Sequence, residues 1–263
     1  MKRSCLITTL AMLLSGVSTI ALAQNTATLK MKIVVDGKAP APQPIANVAD
    51  AFCTMNGELK SDKLLVSEKG ELANFVVMFD EEKSKLKVPA ELQKSPEATH
   101  VLDNTKCLFV PKVIVARPGQ TITVKNSDQT GHNANFKMLK NEQKNILVPA
   151  GQSKDYKLDP TLVEPAAMPI SCDIHPWMSA HIIVKPHPYV GVSAADGTIE
   201  IKDLPVGTGA TFRVWHDACG SISELNVNGK AQKLTRNRWE DIELKPGVND
   251  LGVVKLDVKV LKP

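Results

Sequence analysis

After residue 23 the 263-residue chain has no run long and apolar enough to cross a bilayer. It has no Gly-rich phosphate loop and no Gly-x-Ser-x-Gly elbow, so two common signatures of nucleotide binding and acyl hydrolysis are missing. Excess charge is small: 32 Lys and Arg stand against 28 Asp and Glu, a formal +4. Two of those positives, Lys2 and Arg3, lie at the extreme N-terminus. Acids and bases alternate along the rest, which argues against nucleic acid or an anionic membrane as partner. Histidine is sparse, with 6 in all and no His-x-His pair, so the sequence offers no second, catalytic metal centre.

The N-terminus reads as a secretory signal. Lys2 and Arg3 precede a mostly apolar stretch over residues 5–20, and Ala21-Leu22-Ala23 has the small-x-small form of a cleavage site. Cys5 lies ahead of the apolar run, so no lipid-modified cysteine is expected at the cleavage point. The layout predicts export, with a bacterial periplasm as the expected location of a soluble mature chain.

The chemistry concentrates in Ser171-Cys172-Asp173-Ile174-His175-Pro176-Trp177-Met178. A thiol, an imidazole and a thioether recur every third residue before the apolar run Ile182-Ile183-Val184. A loop at a strand end can fold them onto one point. A thiolate, two imidazoles and a weak axial thioether make an electron-transfer copper site. The second imidazole must come from upstream, where the turn-rich Asn126-Ser127-Asp128-Gln129-Thr130-Gly131 leads into His132-Asn133.

Cys172, His175 and Met178, together with His132-Asn133, resemble the copper loops of the cupredoxins. The short Cys-x-x-His-x-x-Met loop with Pro176 and Trp177 is most similar to the amicyanin branch, and the resemblance covers about residues 108–186. It implies one type 1 copper held by His132, Cys172, His175 and Met178. It also implies that Asn133 ties the two ligand loops together. The ring edge of His175 is then expected at solvent, inside an apolar patch that Pro176, Trp177, Met168 and Pro169 could form. Alternatively, Trp177 only shields the metal. His181 is expected to point off the site, and His100, His187 and His216 to lie outside it.

With Cys5 removed and Cys172 on the metal, Cys53, Cys107 and Cys219 remain for an oxidising compartment. Cys53–Cys107 is the preferred bridge and Cys219 the odd thiol.

The fold expectation is all-β. Among the 263 residues, 17 Pro and 15 Gly with many Val, Ile and Thr favour short strands and turns. Residues 29–35 alternate and read as an edge strand, residues 72–79 as a buried strand, and residues 80–98 as a solvated loop. Residues 108–116, 121–125, 154–158, 170–172 and 181–185 read as strands of a Greek-key sandwich. Pro186-His187-Pro188 marks a boundary, and Asp196-Gly197 is a hairpin signal. Residues 197–215 resemble the small β domains of the carboxypeptidase-regulatory, transthyretin-like type. The expected organisation is a signal peptide at 1–23, a cupredoxin-like copper domain at 24–186 with its core at 108–186, and a smaller β-sandwich at 187–263. A chain ending near Lys185 is then expected to keep the copper site.

The functional expectation is a periplasmic carrier of single electrons between redox proteins, not an enzyme. The alternative is an envelope protein that binds copper or a partner, with the copper structural or sequestered.

Overall fold

The computed structural model describes residues 26–55 and 57–262; the expected signal peptide lies outside them. Apart from single helical turns at Ala51–Thr54, Ala90–Gln93 and Val258–Val260, the regular structure of the described residues is β. No helix among them is long and apolar enough to cross a membrane.

One sandwich is built from two sheets. The first orders the strands Val113–Ala116, Ser179–Val184, Met168–Ser171, His132–Phe136 and Lys144–Val148. The second orders Leu108–Val110, Thr99–Thr105, Thr121–Asn126 and Ser153–Lys157. Strand side chains alternate between faces, so each sheet turns one apolar row inward. Ile122 and Val124 from one sheet meet Ala134, Phe136, Ile170 and Ile182 from the other, all fully buried. The predicted strand over 108–116 divides at Pro111. Without an amide hydrogen, proline cannot continue a ladder, and the chain passes from one sheet to the other there.

The second sandwich has one sheet ordered Thr198–Pro205, Thr26–Asp36, Gly247–Asp257, Glu224–Val227 and Lys230–Lys233. Its other sheet runs Val190–Val192, Val76–Phe79, Gly207–Trp215 and Arg238–Leu244. The expected division assigned residues 24–186 to one unit. Strand pairing instead joins Thr26–Asp36 and Val76–Phe79 to strands that follow residue 186. The expected edge strand over 29–35 is also interior, paired antiparallel on one side and parallel on the other. Alternation reports one buried face; it is silent on lateral neighbours. Lys30 and Lys32 project from the open face while Leu29, Met31, Ile33 and Val35 fill the core.

Asp196-Gly197 makes a turn, with Gly197 at φ +78° and no room for a Cβ beside the Ile33 carbonyl. It joins strands of different sheets, so it turns a corner and closes no hairpin. The sandwiches pack on each other through Val113 and Ile183 of the first and Val76 and Met78 of the second. The strand Ser179–Val184 is therefore buried on both faces: Ala180, Ile182 and Val184 face the inner core, Ile183 the neighbouring sandwich.

Between Thr26–Asp36 and Val76–Phe79 the chain leaves the second sandwich. Pro44 bridges Lys60, Ile45 N–H donates to the Leu59 carbonyl and Ser61 N–H to the Gln43 carbonyl, closing a neck. Beyond the neck, Val48, Phe52, Cys53 and Leu59 pack on the core of the first sandwich.

Candidate metal centre

Register builds the site. Met168–Ser171 and Ser179–Val184 are antiparallel neighbours with Ser171 opposite Ser179, so residues 172–178 form the connection between them. Cys172 N–H donates to the Met178 carbonyl at 3.1 Å and Met178 N–H to the His175 carbonyl at 2.9 Å, which tightens that loop. On the other side Met168–Ser171 pairs with His132–Phe136, Ser171 opposite Asn135. That register sets His132 and Asn133 beside the start of the loop. His132 shares its inward row with Ala134 and Phe136 and is fully buried.

His132, Cys172 and His175 bring one donor atom each to within 4.8 Å of one another. His132 Nδ1 and His175 Nδ1 are 2.9 Å apart, and Cys172 Sγ is 3.9 Å from His175 Nδ1. All three side chains are buried. Met178 is buried in the same core and is tied to the loop by the backbone bonds above.

Each imidazole is held from behind by a carboxylate. His132 Nε2 is 2.9 Å from Asp128 Oδ2, and His175 Nε2 is 2.9 Å from Asp50 Oδ2. A carboxylate accepts hydrogen bonds, so a neutral ring bonded to it carries its proton on Nε2 and turns a bare Nδ1 lone pair inward. Two lone pairs 2.9 Å apart repel unless a proton or a cation lies between them. With a thiol alongside, the donor set could hold a metal ion of soft or borderline character.

Asp128 is itself fixed. Its Oδ1 accepts from Lys106 N–H at 2.6 Å and its Oδ2 from Cys107 N–H at 2.8 Å. Lys106 and Cys107 present both amides from consecutive left-handed conformations, φ +54° and +55°. Such positions cost about 1 kcal/mol or more each. Burial lowers the His132 pKa, with the Asp128 hydrogen bond acting against it. Asp50 caps the turn Ala51–Thr54 through Oδ1, which accepts from Phe52 N–H at 2.9 Å. Its Oδ2 also accepts from the Thr130 hydroxyl at 2.8 Å. The His175 hydrogen bond, then that of Thr130, holds the Asp50 carboxyl below the usual carboxylate range.

Asn133 does what the resemblance implied. Its Oδ1 accepts from Asp173 N–H at 2.8 Å, Ile174 N–H at 3.3 Å and Cys172 Sγ at 3.3 Å. His175 N–H points at the same sulfur from 3.4 Å. Three amides, Asn145, Asn133 and Asn135, donate to Asp173 Oδ2 at 2.7, 3.1 and 3.2 Å and hold the loop's outer face.

The expected solvent-exposed edge of His175 is not found. The ring is 2% exposed because Asp50 covers its Nε2. Trp177 packs on the His175 ring at 5.1 Å between centroids and donates its Nε1–H to the Cys107 carbonyl at 3.1 Å. It therefore shields the site. Of the expected patch, Pro176 and Pro169 are exposed and Met168 is buried. Ile174, half exposed, faces out of the loop with Pro176.

The remaining histidines lie apart. His181 stacks on Trp215 beside Asp217, His216 bonds the Ala73 carbonyl, His187 packs edge-on to Phe79, and His100 bonds Gln120. Cys53 and Cys107 are joined as a disulfide, and Cys219 is free. Asp50 and Asp128 were not singled out from the sequence. Asp128 had a signal, an acid four residues before His132 in a turn; Asp50, 125 residues from His175, had none.

No family model and no curated protein matches this chain. Among solved structures, a copper-containing nitrite reductase from Thermus scotoductus SA-01 is similar at 20% identity and a TM-score of 0.30, over 34% of this chain and 22% of that one. The chain thus spans about a fifth of that enzyme. A reduced amicyanin variant is similar at 19% identity and a TM-score of 0.29, over 34% of this chain and 83% of that one. A purple cupredoxin from Nitrosopumilus maritimus gives 17% identity and a TM-score of 0.27, over 34% of this chain and 99% of that one. At these similarities neither activity nor ligand set carries over to this chain.

Proposed function

We propose that this chain binds one copper ion through His132, Cys172 and His175, with Met178 as a weak axial ligand, and carries single electrons between redox proteins of an exported compartment. The observation that carries the reading is the convergence of two imidazole Nδ1 atoms and a thiol inside a buried cage whose rings are braced by carboxylates. Copper, when bound, supplies one-electron chemistry. The chain's own part is to hold the donors still and keep water out. Two carboxylates orient the rings, which also makes them more basic ligands. The His175 amide points its hydrogen at the sulfur, the contact a metal-bound thiolate can accept, while Asn133 Oδ1 accepts from the thiol and from the Asp173 and Ile174 amides and so fixes the loop. A cage with its ligands fixed on strands and a short loop changes little when the charge of its ion changes. The disulfide supports an oxidising compartment. The burial of the whole donor set supports a carrier in preference to an enzyme.

Sequestration of copper is the second reading, and the covered edge of His175 favours it. Titration with Cu(II), followed by visible absorption and then by ascorbate, separates the two. A carrier takes up one ion, shows the intense thiolate-to-copper charge-transfer band, and loses and regains it on reduction and reoxidation. A colourless complex that does not cycle would leave sequestration. No uptake at all would overturn both.

A further inference from the structure

We propose that Asp50 is a positioning residue of this centre, delivered by the second sandwich, and that the excursion between Pro44 and Lys60 closes the outward edge of His175. The proposal rests on the metal site assigned above. Its basis is geometric. His132, Cys172, His175 and Asp128 all come from the first sandwich. Asp50 comes from a segment whose two ends run into strands of the other sandwich, Thr26–Asp36 and Val76–Phe79. The neck at Pro44 and Lys60 closes that segment, and Val48, Phe52 and Leu59 seat it on the first sandwich's core.

Two bonds then lock its tip. The Cys53–Cys107 disulfide joins it to the turn that also holds Asp128. The Asp50 carboxylate spans His175 Nε2 and the Thr130 hydroxyl. One turn of chain therefore links both braces: Cys107 offers its amide to Asp128 and its sulfur to Cys53, three residues beyond Asp50. The chemical result is specific. His175 cannot swing out of the site without breaking a hydrogen bond to a charged group, and no outside molecule reaches its Nε2 while Asp50 is in place. A carboxylate there also places negative charge beside the metal, which favours its more oxidised state.

The test compares wild type with Asp50→Ala and Asp50→Asn. Asparagine caps a helix as well as aspartate does, so the second variant keeps the turn while removing the charge. The first readout needs no metal: the rate at which diethyl pyrocarbonate modifies His175 in the apo chain, mapped by peptide, with His132 as internal control. A hydrogen bond to a charged group contributes about 1.5–3 kcal/mol, so its loss should raise the His175 rate roughly tenfold or more. His132 should not change. Reducing the disulfide in wild type should raise the His175 rate in the same direction. The second readout is the reduction potential of the copper-loaded chain, which should rise in both variants, while Asp50→Glu should restore part of the shift. An unchanged His175 rate in Asp50→Ala together with an unchanged potential in Asp50→Asn would overturn the proposal. If wild type takes up no copper, the metal reading fails, and the apo labelling still decides whether Asp50 positions His175.

Discussion

His132 and His175 point their Nδ1 atoms at each other across 2.9 Å, with Asp128 behind one ring and Asp50 behind the other. The two braces differ in origin. Asp128 is local, four residues before His132, and rests on two backbone amides. The Asp128→Ala variant should therefore bind metal about 10–100-fold more weakly, the usual effect of removing a group that orients a ligand histidine. Competition against a chelator of known affinity measures this. Affinity within threefold of wild type would remove Asp128 from the site's support.

Cys172 and Met178 should respond differently to substitution. Cys172→Ser replaces the one thiol of the cluster with a hard, protonated oxygen and should abolish the charge-transfer band while the near-ultraviolet circular dichroism is kept. Met178→Leu conserves volume in a fully buried position, so it should cost less than about 1.5 kcal/mol of stability. Copper should stay bound, because an axial thioether is a long, weak ligand, and the potential should move. A serine variant that keeps its colour, or a leucine variant with unchanged potential and spectrum, would strike that residue from the ligand set.

Two buried histidines away from the site set a pH dependence. Burial pushes His187 and His216 down to about 4 from 6.5. His216 is satisfied as the neutral ring, with Nε2–H donating to the Ala73 carbonyl and Nδ1 accepting from Ala218 N–H. Between pH 4 and 6.5 the unfolded chain binds more protons at these positions than the folded chain does. Stability must then rise with pH across that window, by up to about 3 kcal/mol per histidine. Urea unfolding at pH 4.5, 5.5 and 7 measures the slope. His216→Gln should reduce it, leaving the His187 contribution, and a wild-type slope of zero would mean that neither ring is held neutral.

The candidate ligand loop was legible because its residues are close in sequence and rare in type. Cys172, His175 and Met178 repeat every third position, and the turn before His132 is written in Asn, Ser, Asp and Gly. Setting Cys172 aside left three cysteines and three possible bridges, and Cys53–Cys107 was preferred only because the two flank one block of the chain; the structure pairs them. The cover over His175 was not, because nothing in Asp50 itself distinguishes a helix cap from a brace; one carboxylate does both. The place of residues 26–36 was misjudged for a related reason. Alternation records which face is buried, and the pairing of Thr26–Asp36 with Thr198–Pro205 and Gly247–Asp257 spans most of the chain. Local pattern carries site chemistry and strand identity; long-range pairing is decided by the total apolar surface that closure buries.

That pairing reverses the expectation for a chain ending at Lys185. Such a chain keeps His132, Cys172, His175 and Met178 but loses every partner strand of Thr26–Asp36 and Val76–Phe79. Leu29, Met31, Ile33, Val35, Val77 and Phe79, all buried in the whole chain, would face water. Each contributes about 1.5–3 kcal/mol when buried, and two unpaired strands are templates for association. The cluster of Val113 and Ile183 with Val76 and Met78 would also lose Val190, Val192 and Trp215. The excursion bearing Asp50 and Cys53 would then hang from unpaired strands, so the brace on His175 and the staple to Cys107 lose their scaffold. The expected outcome, read by light scattering, is a chain that aggregates when expressed where the full chain does not. Recovery of a soluble, folded chain ending at Lys185, with His175 as slow to modify as in the full chain, would show that the first sandwich holds its own cover and that the second sandwich serves some other purpose.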